Sequence, residues 1–149
     1  MLGARRIPPQ PGNGPPQGPG SNRRNPTEKD RSVTREQIGV FAALTTEEPY
    51  PGISRQSFNT EKTTVTRYSF APGAAFPLHR HPQEQITLIE SGDVRWIAGA
   101  SEGELSAGAY FVVPPDLEHS IQAGADGATI LAIVVPGRES ADAYETVKR

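Results

Sequence analysis

The chain has only three histidines, and two of them are separated by a single residue. His79 and His81 lie in the stretch PLHRHPQEQI, residues 77–86, and His119 follows later. If this stretch is a β-strand, alternate side chains share a face, so both imidazoles would point the same way. Imidazole nitrogens bind Zn, Fe, Ni, Cu and, less selectively, Mn. The pair indicates a transition-metal site, although alone it is a weak signal because two surface histidines can arise by chance.

Two neighbouring residues compete to add an oxygen ligand to this pair. Glu84 offers a carboxylate and Gln85 an amide oxygen. Since neighbours on a strand point to opposite faces, only one of them can face the histidines, and the other would be solvated. Alternation alone leaves that choice open. It does place Thr87 and Ile89 on the face of Gln85, and Glu90 on the face opposite.

The composition narrows the class of protein. With 149 residues the chain is long enough for one domain plus an appendage. It has no cysteine, which excludes disulfides, thiolate metal sites and a nucleophilic thiol, and which fits a cytoplasmic location. The formal net charge of −2 does not indicate a basic surface of the kind that binds nucleic acid. No apolar run approaches the ~20 residues that span a bilayer, and the start MLGARRIPPQ lacks the apolar region of a secretory signal, so we expect no membrane partner.

The beginning of the chain differs in amino-acid composition from the rest. The first 26 residues contain seven prolines, five glycines and four arginines but no acidic residue. Such a segment cannot bury enough apolar surface to offset the entropy of ordering. We therefore predict a disordered basic arm over residues 1–35 and a folded domain over residues 36–149. Thr34 and Gln37 form a weak capping box, which favours a short helix near residues 35–44.

From Ile53 onward, short runs of β-branched and aromatic residues alternate with turn signals. The runs include TTVTRYSF, QITLIES, GDVRWIAG, GAYFVVPP and ATILAIVV. Short strands broken by Gly and Pro are typical of all-β sandwiches and barrels. Closure of such a barrel would bring His119 onto a wall facing His79. The tail GRESADAYETVKR could form a terminal helix or an extended arm.

Two segments, in this order, resemble the two motifs of the cupin superfamily. The first motif is G-x5-H-x-H-x3–4-E-x6-G, and it matches Gly73, His79, His81, Gln85 and Gly92, with Gln85 in the place of the acid. The resemblance covers residues 53–136. It implies a small β-barrel or double-stranded β-helix of the jelly-roll type.

The second motif is G-x5-P-x-G-x2-H-x3-N. It matches Gly108, Pro114 and His119, whereas Asp116 stands where glycine is usual and Ala123 where asparagine is usual. All three histidines of the chain therefore fall on positions at which cupins bind metal.

The resemblance implies a ligand set of four residues, which are His79, His81, Gln85 and His119. The family spacing selects Gln85 rather than Glu84 as the oxygen ligand. Three neutral imidazoles and a neutral amide leave the metal its full 2+ charge, which makes it a stronger Lewis acid. We expect one divalent transition metal, namely Zn, Fe, Ni or Mn.

Within the superfamily, RYSFAPGAAFPLHRHPQEQITLIESGDV and VVPGRES look like the small single-domain cupins of pectin degradation, which open unsaturated uronates. Those proteins place an Asp, a Phe and an Arg on the last strand and the turn after it. Arg138 matches the arginine, but Ala132 and Val134 stand where the Asp and Phe are expected. Arg138 is therefore one catalytic candidate. Arg67 is a second, because it, like Arg95, could enter the cavity and bind a carboxylate, or else lie on a solvated outer face.

The resemblance implies a metal-dependent enzyme of isomerase, lyase or hydrolase type. It would act as a Lewis acid on a small hydroxy-carbonyl substrate, such as a sugar acid or keto acid, by isomerisation, ring opening or dehydration. Two alternatives stay open, an O₂-dependent cupin dioxygenase and a non-enzymatic, metal-dependent binding module. Small cupins usually pair, so we expect a homodimer in which GISRQSF, residues 52–58, is the paired or swapped strand.

Overall fold

The computed structural model describes residues 36–140 and 142–148, so the predicted arm over residues 1–35 lies outside the described part. The strands, in chain order, are β1 (Glu47–Tyr50), β2 (Ile53–Asn59), β3 (Thr64–Phe70), β4 (Ala75–Arg80), β5 (Glu84–Ala98), β6 (Ser101–Ser106), β7 (Tyr110–Val113), β8 (His119–Val135) and β9 (Glu145–Thr146). A 3₁₀ turn at Phe41–Ala43 precedes them. The all-β prediction is confirmed. Among the described residues, no helix is long and apolar enough to cross a membrane.

Two long strands, β5 and β8, pair with each other and run through both halves of the barrel. Around the second half of β8 the strand order is β1-β2-β3-β8-β5-β7. Around its first half the order is β9-β4-β8-β5-β6. The β5–β8 register shifts between Ile89 and Ser91 and again between Gly92 and Val94. Such bulges bend the strands and let the sheet curl into a barrel.

The inner surface of the barrel is apolar at one end and polar at the other. Strict alternation in β3 buries Thr64, Thr66, Tyr68 and Phe70. The buried apolar side chains form one core cluster, which includes Phe76, Ile89, Ile121 and Ile130. Each such side chain contributes about 1.5–3 kcal/mol through burial. The polar end, which begins at the two threonines, is left to build a site.

The motif glycines occupy turns that other residues enter at a cost. Gly73, Gly92 and Gly108 have φ values of 71°, 77° and 91°. Asp116, which replaces a motif glycine, has a φ of 62°. Asp is one of the few residues that adopt this left-handed conformation readily, because its short polar side chain can hydrogen-bond locally. The turn before His119 is thus kept despite the replacement.

We expect Gly92→Ala to destabilise the fold far more than Gly73→Ala. A Cβ at position 92 would collide with the carbonyl oxygen of Gly127 and lie 2.9 Å from Cα of Ala128, so backbone would have to move. A Cβ at position 73 meets nothing within 4 Å. Its cost is then the left-handed conformation alone, about 1–2 kcal/mol. Thermal unfolding of both variants tests this, and equal melting temperatures would contradict it.

The helix predicted near residues 35–44 is wrong for the residues that the structure describes. Residue Val40 is extended, with φ −126° and ψ 141°, and only the three-residue 3₁₀ turn follows. Ile38, Gly39 and Val40 favour helix weakly. Phe41 instead packs on Phe58 of β2, with ring centroids 5.7 Å apart, and this contact fixes the segment against the outer face of the barrel.

The pairing of residues 52–58 with a second copy stays a prediction. β3 pairs with the whole of β2, whereas β1 pairs with it only between Ile53 and Arg55. The C-terminal tail was predicted to be either a helix or an extended arm. It is extended, and its strand β9 pairs antiparallel with β4.

Candidate metal centre

The three histidines meet at the polar end of the barrel. His79 lies near the end of β4, His81 directly follows that strand, and His119 begins β8. β4 and β8 pair with His79 opposite His119, and their ring centroids are 4.1 Å apart. One ring nitrogen from each of the three histidines can be chosen so that all lie within 4.8 Å of one another. A single ion could therefore contact all three rings.

Backbone carbonyls fix the orientation of all three rings. The contacts are Nδ1 of His79 to the Pro77 oxygen at 2.8 Å, Nδ1 of His81 to the Gln83 oxygen at 3.0 Å and Nδ1 of His119 to the Leu117 oxygen at 2.8 Å. Since a carbonyl only accepts, each Nδ1 must carry the proton and donate it. The lone pair of each neutral ring is then on Nε2. In histidines that bind metal through Nε2, the Nδ1–H typically donates a hydrogen bond of this kind.

Burial keeps these imidazoles neutral. It lowers the pKa of His79 to about 3, with a further contribution from His119. It lowers the pKa of His119 to about 4 and also lowers that of His81, where the positive charge of Arg138 adds to the effect. At neutral pH the three Nε2 atoms are therefore lone-pair donors. Nε2 of His119 is buried and has no hydrogen-bond partner among the described residues.

Gln85 adds an oxygen to this cluster. It lies on the inner face of β5 together with Thr87 and Ile89, while Glu84 and Glu90 are exposed, as the alternation predicted. Its Nε2 donates to Oγ1 of Thr87 at 3.0 Å, which turns Oε1 toward the histidines. The sequence prediction about which residues share this face is confirmed.

The contact between Gln85 and His81 is the feature that fits a cation. Oε1 of Gln85 lies 3.1 Å from Nε2 of His81. Both atoms are acceptors when Nδ1 of His81 donates to Gln83, so their lone pairs repel unless a positive charge lies beside them. A second proton on His81 is disfavoured because burial and Arg138 lower its pKa. A divalent metal ion would satisfy both acceptors and the unpaired Nε2 of His119.

Matched substitutions at the two neighbours test this assignment. We expect Gln85→Glu to hold or raise metal affinity, because it places a negative oxygen beside the ion. We expect Glu84→Gln to leave metal affinity unchanged, because the side chain is exposed on the outer face. Metal titration against a competing chelator measures both. Loss of metal in Glu84→Gln, with no change in Gln85→Glu, would mean that the β5 register is shifted by one residue.

A cavity that opens to solvent adjoins the cluster, and the space in it that the centre of a water-sized molecule can occupy is about 30 Å³. It is lined by His79, Gln85 and His119 on one side and by mostly apolar or aromatic side chains elsewhere, which are Tyr68, Phe70, Phe76, Thr87, Phe111, Ser120, Ile121 and Ile130. Arg138 also lines it and is only 7% exposed.

Arg138 is held in place through its backbone. Its N–H donates to Oγ1 of Thr64 at 2.8 Å, which ties the turn after β8 to the start of β3. Burial lowers the pKa of its guanidinium, and the hydroxyl of Tyr68 counteracts this in part. The structure thus brings the first catalytic candidate to the metal cluster.

Arg67, the second catalytic candidate, is not brought to the site. It lies on the outer face of β3, where it pairs with Glu90 at 2.9 Å and sits over the ring of Phe41. Its side chain is 43% exposed. Because residues alternate along the strand, burying Thr66 and Tyr68 forces Arg67 outward. Arg95 is likewise outward and pairs with Glu102 at 2.9 Å.

Sequence reasoning missed a buried arginine near the cavity. Arg55 is 3% exposed and pairs with Glu47 at 2.7 Å and with Asp142 at 2.8 Å. The alternation of Ile53 and Arg55 on one strand face was the available signal. It also missed Tyr144, whose ring lies 5.2 Å from that of His79.

Comparison with known proteins agrees with this fold. Residues 66–136 match the family described as Cupin domain. The chain therefore contains a cupin domain. Both cupin motifs, with all three histidines and Gln85, fall inside or directly beside strands of this domain.

The relatives of this cupin differ in length. Germin-like protein 1-2 of rice, Oryza sativa subsp. japonica, is 30% identical over 107 residues, which is 67% of this chain and 46% of that protein. The chain thus spans about half the length of the curated relative that it matches.

Two solved structures share the fold of this cupin. An RmlC-like cupin from Shewanella frigidimarina has a TM-score of 0.65 and 23% identity, covering 70% of this chain and 95% of that one. KdgF from Halomonas sp. has a TM-score of 0.66 and 21% identity, covering 70% and 97%. At these identities the likeness shows the fold alone.

Proposed function

We propose that His79, His81, Gln85 and His119 bind one divalent transition metal, and that this cupin is a metal-dependent enzyme. The observation that carries the proposal is the 3.1 Å approach of two acceptors, on His81 and Gln85, beside the unpaired Nε2 of His119. A set of three nitrogens and one amide oxygen suits Zn, Fe, Ni or Mn. The match to the cupin domain family supports the same ligand positions.

When bound, such a metal supplies Lewis acidity that polarises a carbonyl or hydroxyl oxygen. The protein's part is to keep that charge undiminished, because none of the four side chains is an anion. The three carbonyl contacts at Nδ1 fix the rings, and Thr87 fixes the amide. The apolar wall around Phe76 and Ile130 limits water near the reacting group.

We propose a small hydroxy-carbonyl acid, such as a sugar acid or keto acid, as the substrate. Arg138 supports this class, because a guanidinium that lines the cavity can bind a carboxylate through two hydrogen bonds. The reaction would be an isomerisation, ring opening or dehydration. Ala132 and Val134 are buried and supply neither an acid nor an aromatic ring. Specificity for unsaturated uronates is therefore not part of the proposal.

A substrate panel tests the proposed activity. Protein stripped with a chelator and reloaded with Zn, Fe, Ni or Mn would be incubated with hydroxy acids, keto acids and their neutral analogues, and followed by NMR with and without O₂. We expect turnover of an acid that needs the metal and not O₂. Turnover that consumes O₂ would favour a dioxygenase instead, and binding without turnover would favour a binding module.

We also propose that this cupin is a cytoplasmic homodimer. The absence of cysteine supports the location. For the dimer, the support is an apolar row on the outer face of the barrel, formed by side chains paired across neighbouring strands, which are Phe58, Val65, Ile133, Ile86 and Val112. Beside it, Leu88 and Tyr110 are 37% and 69% exposed. A second copy presents the same uncharged row and would cover it.

Val112→Lys is expected to shift the protein toward monomer. The substitution places a charge at the exposed end of the proposed contact, beside Leu88 and Tyr110, where burial without a partner is costly. Ser101→Lys makes the same charge change at an exposed position on β6 and should leave the assembly unchanged. Sedimentation measures both masses. A monomeric wild type, or a Val112→Lys variant that is still dimeric, would contradict the proposal.

A further inference from the structure

The C-terminal strap, residues 142–147, connects the two halves of the barrel beside the metal centre. On one side, Asp142 accepts from Arg55 of β2 at 2.8 Å, and the Tyr144 hydroxyl lies 2.7 Å from the hydroxyl of Tyr50 at the end of β1. On the other side, the strand β9 inside the strap pairs with β4. The strap therefore joins two edges of the barrel that no other described strand connects.

The strap contacts the strand that carries the first histidine. His79 is the backbone partner of Thr146, and the next pair is Arg80 with Glu145. Arg80 reaches both carboxylate oxygens of Glu145 at 3.1–3.2 Å. The N–H of Val147 donates to the Leu78 carbonyl at 2.9 Å. β4 thus has β8 on one edge and the strap on the other.

The strap also touches the histidine ring itself. The ring of Tyr144 lies 5.2 Å from that of His79, edge to face at 67°, and 5.5 Å from that of Phe76. His119 packs against the same imidazole at 4.1 Å. The ring of His79 therefore lies between the ring of His119 and the strap. The hydroxyl of Tyr144 is itself fixed by its hydrogen bond with Tyr50.

We propose that Tyr144 is a positioning residue for His79, and that the strap controls how long the metal ion stays bound. The inference rests on the proposed metal site. Groups that hydrogen-bond to a ligand and orient it change metal affinity by roughly 10–100-fold when they are removed, and a ring contact such as that of Tyr144 should act at the lower end of this range. The strap is well placed for such an effect, because its ion pair on the side of β4 is exposed and costs little to break: the side chains of Arg80 and Glu145 are 45% and 67% exposed.

The first test compares metal release from full-length variants under an excess of chelator. Tyr144→Ala should release metal about tenfold faster than wild type or more. Tyr144→Phe keeps the ring contact with His79 and should restore most of the retention. Arg95→Ala opens the Arg95–Glu102 ion pair, whose side chains are 57% and 59% exposed and belong to β5 and β6, and should match wild type.

A second test measures the effect of the strap on metal release without changing Tyr144, in case Tyr144→Ala folds poorly. Arg80 and Glu145 are directly opposite across β4 and β9, and the chain has no cysteine of its own. In a protein with Arg80→Cys and Glu145→Cys, a disulfide would lock the strap, and oxidation should slow metal release at least several-fold relative to the reduced form. Equal release from the oxidised and reduced forms, or from Tyr144→Ala and wild type, would overturn the positioning role. A wild-type protein that binds no metal would instead refute the proposed function, and the inference with it.

Discussion

Replacing His119 with alanine should leave the protein without a stoichiometric metal ion. The substitution removes one of three imidazoles and the buried Nε2 that has no partner among the described residues. The two nitrogens and one amide oxygen that are left would bind a divalent ion far more weakly, because each lost ligand also leaves the others less constrained. Elemental analysis after gel filtration measures the loss.

The control for this prediction is Ser120→Ala. Ser120 is the next residue on β8 and lines the same cavity, but it is not one of the three histidines of the cluster. That variant should retain one equivalent of metal. A double variant, His81→Ala with His119→Ala, that still holds a full equivalent would place the metal elsewhere in the protein.

Arg138→Met should weaken binding of small carboxylic acids by about 10–150-fold. A hydrogen-bonded contact to a charged group contributes about 1.5–3 kcal/mol, and methionine fills similar space without the charge. Arg138→Lys should recover only part of the affinity, because an ammonium cannot form the paired contacts of a guanidinium. Calorimetric titration of the metal-loaded protein with hydroxy and keto acids measures the change.

Arg67→Met is the matched control for Arg138. It makes the same change of charge, but on the outer face, where Arg67 pairs with Glu90. We expect acid binding by this variant to equal that of wild type. If Arg138→Met binds acids as tightly as wild type does, the substrate's carboxylate is not held by Arg138, and the proposed substrate class loses its main support.

The metal-binding side of the barrel could be predicted from the sequence because it depends on local alternation. The period of two in β5 determines that Gln85 and Thr87 share a face and that Glu84 does not. The motif positions alone were enough to predict the metal-binding role of His79 and His81 and the turn before His119. Even the replacement of a motif glycine by Asp116 is explained by a conformation that Asp tolerates.

Contacts between distant segments could not be read in this way. The sequence places no constraint on where Asp142 or Tyr144 lies, because the tail has no periodic pattern and only two of its residues form a strand. Arg67 was ambiguous for another reason. Alternation determines which residues of a strand share a face. Which of the two faces points into the barrel depends on which residues form the core, here Tyr68 and Phe70.

The segment before β1 failed as a helix for a tertiary reason. A weak capping box at its start competes with poor helix formers at Ile38 and Val40, and the packing of Phe41 on Phe58 decides the outcome. A single local signal of this kind does not outweigh a fixed contact with the barrel.

X-ray absorption of the metal-loaded protein tests the central claim most directly. The chain has no cysteine, so no thiolate can be a ligand, and imidazole rings give a distinct outer-shell scattering pattern. We expect one metal per chain with three imidazoles and one further oxygen from the protein. A spectrum with fewer than two imidazoles, or a protein that holds no metal after loading, would contradict the account.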